Sequence, residues 1–140
     1  MYESIVVGVD GSTSAASAFG QAAELAERFG AHLHVVSAYT PLSVSGQSLP
    51  PEFAGTVRSD SKVEALLSDL SSRARVRGIE VSSHSRTGDP ATAIVEVADE
   101  QQADLIIVGN KGMKARRVLG SVPNSVAHKA SCSTLIVQTT

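Results

Sequence analysis

Apolar runs of strand length alternate along this chain with longer segments of helical period, and glycine, proline or a short polar residue marks each switch. This β-α-β-α rhythm predicts strands over residues 4–9, 33–38, 79–84, 105–108 and 134–138, with four helices between them. The first and fourth runs, IVVGV and LIIVG, are continuously apolar, as parallel strands covered by helices on both faces must be. The third run alternates, IEVSSH, which suits a sheet edge with one wetter face. Right-handed crossovers that reverse direction after the third strand give an open parallel sheet in the order 3-2-1-4-5, a doubly wound α/β fold with helices on both faces. In such a sheet a crevice opens beyond the carboxyl ends of strands one and four, where Asp10 and Gly109 face each other.

The helices carry their own punctuation. The first is predicted over 13–29, capped by Ser12 or Ser14, with a face of Ala15, Ala18, Phe19, Ala22, Ala26 and Phe29 and with Gly30 as its stop. The second runs over about 59–77, places Val63, Leu66, Leu67, Leu70 and Ala74 at helical spacing, and stops at Gly78. Asp89 as cap and Pro90 at the first position open the third, followed by Ala91, Ile94, Val95 and Ala98. The stretch 40–55, with Pro41, Pro50 and Pro51, reads as a mobile flap or as a solvated loop, the latter preferred.

With 140 residues, 42% hydrophobic and 19% charged, the chain is expected to form one domain over 1–140. A net charge of -2 and 4% aromatics argue against nucleic acid as a partner. The apolar stretch near the N-terminus is too short for a membrane span or a secretion signal, and the one cysteine, Cys132, excludes an internal disulfide. A cytoplasmic protein with no membrane partner is the expectation. Cys132, ahead of the last strand, is read as inert.

Chemistry concentrates after the fourth strand, in VGNKGMKARRVLGSVPNSVAHKA. Gly109 and Gly112 bracket a turn, and Gly120-Ser121 opens a short helix with Pro123 in its first turn. Glycines let backbone N–H groups approach phosphate oxygens, and a helix start adds free donors and a positive dipole end. Equally, Gly109 could simply end a strand and Ser121 simply cap a helix. Lys111, Lys114, Arg116 and Arg117 could draw in a polyphosphate or form a solvated basic surface. His32 and His34 share one strand face but lack further ligands at metal-binding spacing, and His128 complements the dipole of the last helix. No P-loop, G-x-S-x-G elbow or paired cysteine motif is present.

The stretches IVVGVDGS, TGDPATAIVEVADEQQADLIIVGNKG and GSVPNSVAHKASCSTLIV resemble the nucleotide-binding branch of the universal stress protein family, over essentially the whole chain. The resemblance implies an adenine nucleotide alpha hydrolase-like, Rossmann-like sheet, a homodimer made through the last strand, and ATP or another adenine nucleotide such as cyclic AMP in the crevice. The family's ATP motif is Gly, two residues, Gly, nine residues, Gly, then Ser or Thr. Gly109 and Gly112 keep their spacing, but only seven residues, 113–119, precede Gly120. The shortening leaves the glycines and the helix start in place, so the phosphate cradle is expected to survive.

Asp10 matches a family aspartate near base, ribose or metal, where Mg2+ could accompany ATP; its other reading is a cap of the first helix or the turn before it. Ala38 matches a position whose backbone contacts adenine, with Gly8 and Val9 on the same wall. The expected binding residues are thus Gly8, Val9, Asp10, Ala38, Val108, Gly109, Lys111, Gly112, Gly120, Ser121, Val122 and Pro123, with no catalytic residue and no metal ligand assigned. The dimer strand is expected to run from Thr134 to Gln138, where the apolar Leu135-Ile136-Val137 would otherwise lie on an open edge unless the chain's own helices cover it. The functional expectation is a dimeric nucleotide-binding stress regulator. The alternatives are a dimeric interaction protein with a degenerate site, or a weak ATPase, for which no general base or arginine finger is evident.

Overall fold

The computed structural model describes residues 1–40, 60–111 and 119–138. Strand β1 (Ser4–Gly8) leads to helix α1 (Thr13–Phe29), then come β2 (His32–Tyr39), α2 (Asp60–Val76), β3 (Val81–Thr87), α3 (Pro90–Glu100), β4 (Leu105–Asn110), α4 (Ser121–Lys129) and β5 (Ser133–Gln138). All pairings are parallel and the order is β3-β2-β1-β4-β5, as the apolar pattern requires. The two continuously apolar strands, β1 and β4, are neighbours in the sheet interior, with Ile5, Val6, Val7, Ile106 and Ile107 fully excluded from water.

Successive side chains of each strand point to opposite faces, so the sheet divides the core in two. Ile5, Val7, Leu33 and Val35 pack against α1 and α2, while Val6, Val36, Ile106 and Val108 pack against α3 and Val126 of α4. Helix α1 buries Ala15, Ala18, Ala22, Ala23 and Ala26 with Phe19, and its small residues let it lie close to β1 and β4. Phe29, expected on that face, is instead 46% exposed at the helix end, where its ring meets the edge of Tyr2.

The third strand departs from its expected bounds of 79–84. Gly78, at φ +79°, ends α2 in a left-handed cap in which Ile79 N–H donates to Ala74 O and Gly78 N–H to Arg75 O. Ile79 is thereby held by the helix, and the strand begins at Val81. It runs on through Ser85, Arg86 and Thr87, which pair with Ser37, Ala38 and Tyr39. Strand β4 also runs two residues further than expected, because Gly109 and Asn110 pair with Val137 and Gln138 of β5. The expected loop 40–55 lies almost wholly outside the described residues.

Where β3 meets β2, the face turned toward α3 carries three imidazoles. His32 stacks on His34 with ring centroids 4.1 Å apart, and His34 Nδ1 lies 3.0 Å from His84 Nε2, one nitrogen donating to the other. His32 Nε2 is 2.8 Å from Ser82 Oγ, and its Nδ1 is 3.6 Å from Glu80. Burial, reinforced by the charges of His32 and His84, pushes His34 down from 6.5 to about 4. Burial and then Arg86 lower His84, against the opposing pull of Glu100.

The unfolded chain therefore takes up a proton near pH 6.5 that folded His34 resists until about pH 4. Stability is complete above pH 6.5 and falls between there and pH 4, by up to roughly 3 kcal/mol for a shift of this size. Thermal melts from pH 7.5 to 4 are expected to show this decline, and His34→Leu should flatten much of it while leaving the fold intact.

Candidate functional site

Because every strand is parallel, all five end at the same rim of the sheet, and the reversal between β1 and β4 leaves a gap there. The gap is an open-mouthed cleft with about 180 Å³ of internal space. Gly8, Val9 and Asp10 reach it from the end of β1, Val36 and Ala38 from β2, and Val108, Gly109 and Lys111 from β4 and the residue after it. The start of α4 supplies Gly120, Ser121, Val122 and Pro123. These are the residues the sequence singled out, apart from Val36, which was not named. Gly112, together with Lys114, Arg116 and Arg117, lies outside the described residues.

The lining is divided by chemistry. Val36, Ala38, Pro90, Ile94, Val108 and Val122 offer apolar surface, whereas Asp10, Ser12, Ser14, Lys111 and Ser121 offer polar groups. Ser12, Ser14, Pro90 and Ile94 were read only as helix caps and helix faces. The crossing of three helix starts at one rim makes them cleft residues as well, and a single stretch of sequence carries no signal of that.

The helix starts differ in who satisfies their N–H groups. Ser12 Oγ accepts from Ala15 N–H at 3.2 Å and caps α1, and Asp89 accepts from both the N–H and the hydroxyl of Thr92 at 2.9 Å and caps α3. Those two hydrogen bonds hold the Asp89 carboxyl below the usual carboxylate range. Helix α4 begins at Gly120 with no side-chain cap, so Ser121 and Val122 present the donors of its first turn at the cleft wall. Each such bond to a charged oxygen contributes ~1.5–3 kcal/mol, and the dipole adds ~0.3–1 kcal/mol.

Asp10 closes the turn before α1, its Oδ1 accepting from Ser12 N–H at 2.9 Å while Oδ2 lies 3.6 Å from Lys111 Nζ. The capping alternative is thus realised in the turn and not in the helix. The pair also joins the ends of β1 and β4 across the cleft, with both side chains at least half exposed.

Two glycines are explained by neighbours within the chain. A Cβ on Gly109 would overlap the carbonyl oxygen of Ser14, so this glycine is where β4 and the first turn of α1 touch backbone to backbone. A Cβ on Gly120 would lie 3.2 Å from Asn110 Oδ1. That same oxygen accepts the Gly120 N–H at 2.9 Å, a bond that sequence reasoning missed. A polar residue closing an otherwise apolar strand run was its only signal.

Among the described residues, no group of His, Cys, Asp or Glu is arranged to hold a metal ion, and no helix is long and apolar enough to cross a membrane. Burial, aided by Asp104 and Asp99, pushes the Cys132 thiol up, away from thiolate reactivity.

The sequence model of the universal stress protein family matches residues 1–138. The chain belongs to the universal stress protein family. It is 37% identical to a universal stress protein of Mycobacterium tuberculosis over 99% of this chain and 98% of that one. It is 30% identical to one of Bacillus subtilis over 99% of this chain and all of that one. Among solved structures, a universal stress protein in complex with cyclic AMP matches with a TM-score of 0.77 and 34% identity, covering 99% of this chain and 98% of the other. One from Archaeoglobus fulgidus in complex with dAMP matches with a TM-score of 0.67 and 30% identity, covering 97% and 98%.

In this universal stress protein Gly109→Ala is expected to force β4 and α1 apart. Overpacking of that kind costs about 1–3 kcal/mol, and urea unfolding should register it as a lowered midpoint with an unchanged slope.

Proposed function

We propose that this chain is an adenine-nucleotide-binding regulator that takes ATP, or a monophosphate such as cyclic AMP, in the cleft at the ends of β1 and β4. The observation that carries this reading is the uncapped start of α4 set beside an apolar wall. An adenine ring suits Val36, Ala38, Pro90 and Ile94, and phosphate suits the Ser121 and Val122 N–H groups with the Ser121 hydroxyl and Lys111. Relatives of this fold in complex with cyclic AMP and with dAMP support it. Mg2+ would join a triphosphate only through Asp10, the one carboxylate at the cleft among the described residues.

The proposal includes a homodimer in the cytoplasm, acting in the stress response, with the two copies meeting at β5. That strand is the sheet edge, and Leu135 and Ile136 on it are only half-buried within one chain. The domain proposed for this role is the whole of 1–140.

Calorimetric titration with ATP, ADP, AMP and cyclic AMP is expected to give stoichiometric binding of at least one of them at roughly micromolar Kd, about -8 kcal/mol. Flat titrations for all four overturn the reading. For the dimer, sedimentation is expected to give twice the chain mass, with Ile136→Lys shifting it to monomer at unchanged helical content.

A further inference from the structure

Asn110 is polar, yet only 1% of its surface reaches solvent. It closes β4, at the point where the chain leaves the sheet for α4. Its Oδ1 accepts the Gly120 N–H at 2.9 Å, and its Nδ2 donates to Gln138 Oε1 of β5 at 3.2 Å. A carboxamide in this position has a defined orientation, because only one way of placing its oxygen and nitrogen satisfies a donor on one side and an acceptor on the other. It pins the cap residue of α4 to the two strands on which that helix rests, ten residues on in sequence.

The bond also decides which donors a ligand can meet. Gly120 N–H is taken up inside the protein, and Pro123 has none. The first turn of α4 is left with the N–H groups of Ser121 and Val122, whose direction follows from where Gly120 is held. A displacement of even 1 Å at such a point is enough to spoil hydrogen bonds to an anion.

We infer that Asn110 is a positioning residue for the phosphate end of the nucleotide site, holding the Ser121 and Val122 N–H groups in place without touching the ligand. The assignment rests on the adenine-nucleotide reading above. It sets the anion against Ser121 and Val122, with Gly120 contributing its small size and the Asn110 contact.

The test compares adenosine with AMP, which differ only in the phosphate. Calorimetric titrations of both would be made on the full chain, on Asn110→Leu, which keeps the branched shape and removes the hydrogen bonds to Gly120 and Gln138, and on Gln138→Leu, which removes the brace to β5. Asn110→Leu is expected to bind AMP about tenfold more weakly than the unaltered chain, and adenosine within twofold. Gln138→Leu, a change at a residue exposed within one chain and checked by sedimentation for an unaltered assembly, is expected to lose two- to threefold for AMP alone, so it carries the test if Asn110→Leu does not fold. Equal losses for the two ligands indicate a general structural role and overturn the assignment, as does unchanged AMP binding in both variants. If the unaltered chain binds neither adenosine nor AMP, it is the nucleotide reading that fails, and this assignment goes with it.

Discussion

The parallel pairing of β1 with β4, Ile5 against Leu105 through Val7 against Ile107, is the contact on which the remaining architecture depends. It joins strands far apart in sequence and reverses the direction in which the sheet is built. Everything before it winds outward through β2 to β3, and everything after it winds outward through β5. The two halves can only diverge beyond the ends of β1 and β4, and the cleft is that divergence. Beside it Gly109 lies against the Ser14 backbone, so the start of α1 sits close on the end of β4.

Burial sorts the polar groups in this fold into two kinds. At the rim, hydroxyls and carboxylates satisfy helix starts, as Ser12 and Asp89 do, and α4 alone among the helices with a described cap lacks such a partner. Inside, the imidazoles of His34 and His84 satisfy each other at the β2–β3 boundary, which keeps a polar cluster compatible with the buried Val6, Val36, Ile106 and Val108 of the same sheet face. The first arrangement leaves donors available to a ligand. The second leaves none and makes the fold sensitive to acid instead.

Much of this was legible in the sequence because β1 and β4 are built on unbroken apolar runs and two of the helices, α1 and α3, carry their caps in plain view. The bounds of α1 and the Asp89-Pro90 opening of α3 follow from local chemistry alone. What escaped was tertiary in origin. The end of β3 is polar and is a strand only because β2 lies beside it, and Ile79 looks like a strand residue but is held by the cap of α2. In the site, the glycine pattern marked the right rim. The reasons for two of the glycines, Ser14 for Gly109 and Asn110 for Gly120, lie in neighbours that no spacing rule reveals.

Strand order also partitions the cleft between stretches of the chain. Apolar wall residues Val36 and Ala38 come from the first 40 residues and Pro90 and Ile94 from α3, whereas the donors at α4 and the edge strand β5 are encoded together within 105–138. Sequence drift in the early stretches can therefore reshape the apolar wall while leaving the helix-start donors alone. Drift in the last stretch alters those donors and the sheet edge at once, so in such a fold the chemistry of that helix start and of the edge is inherited as one unit.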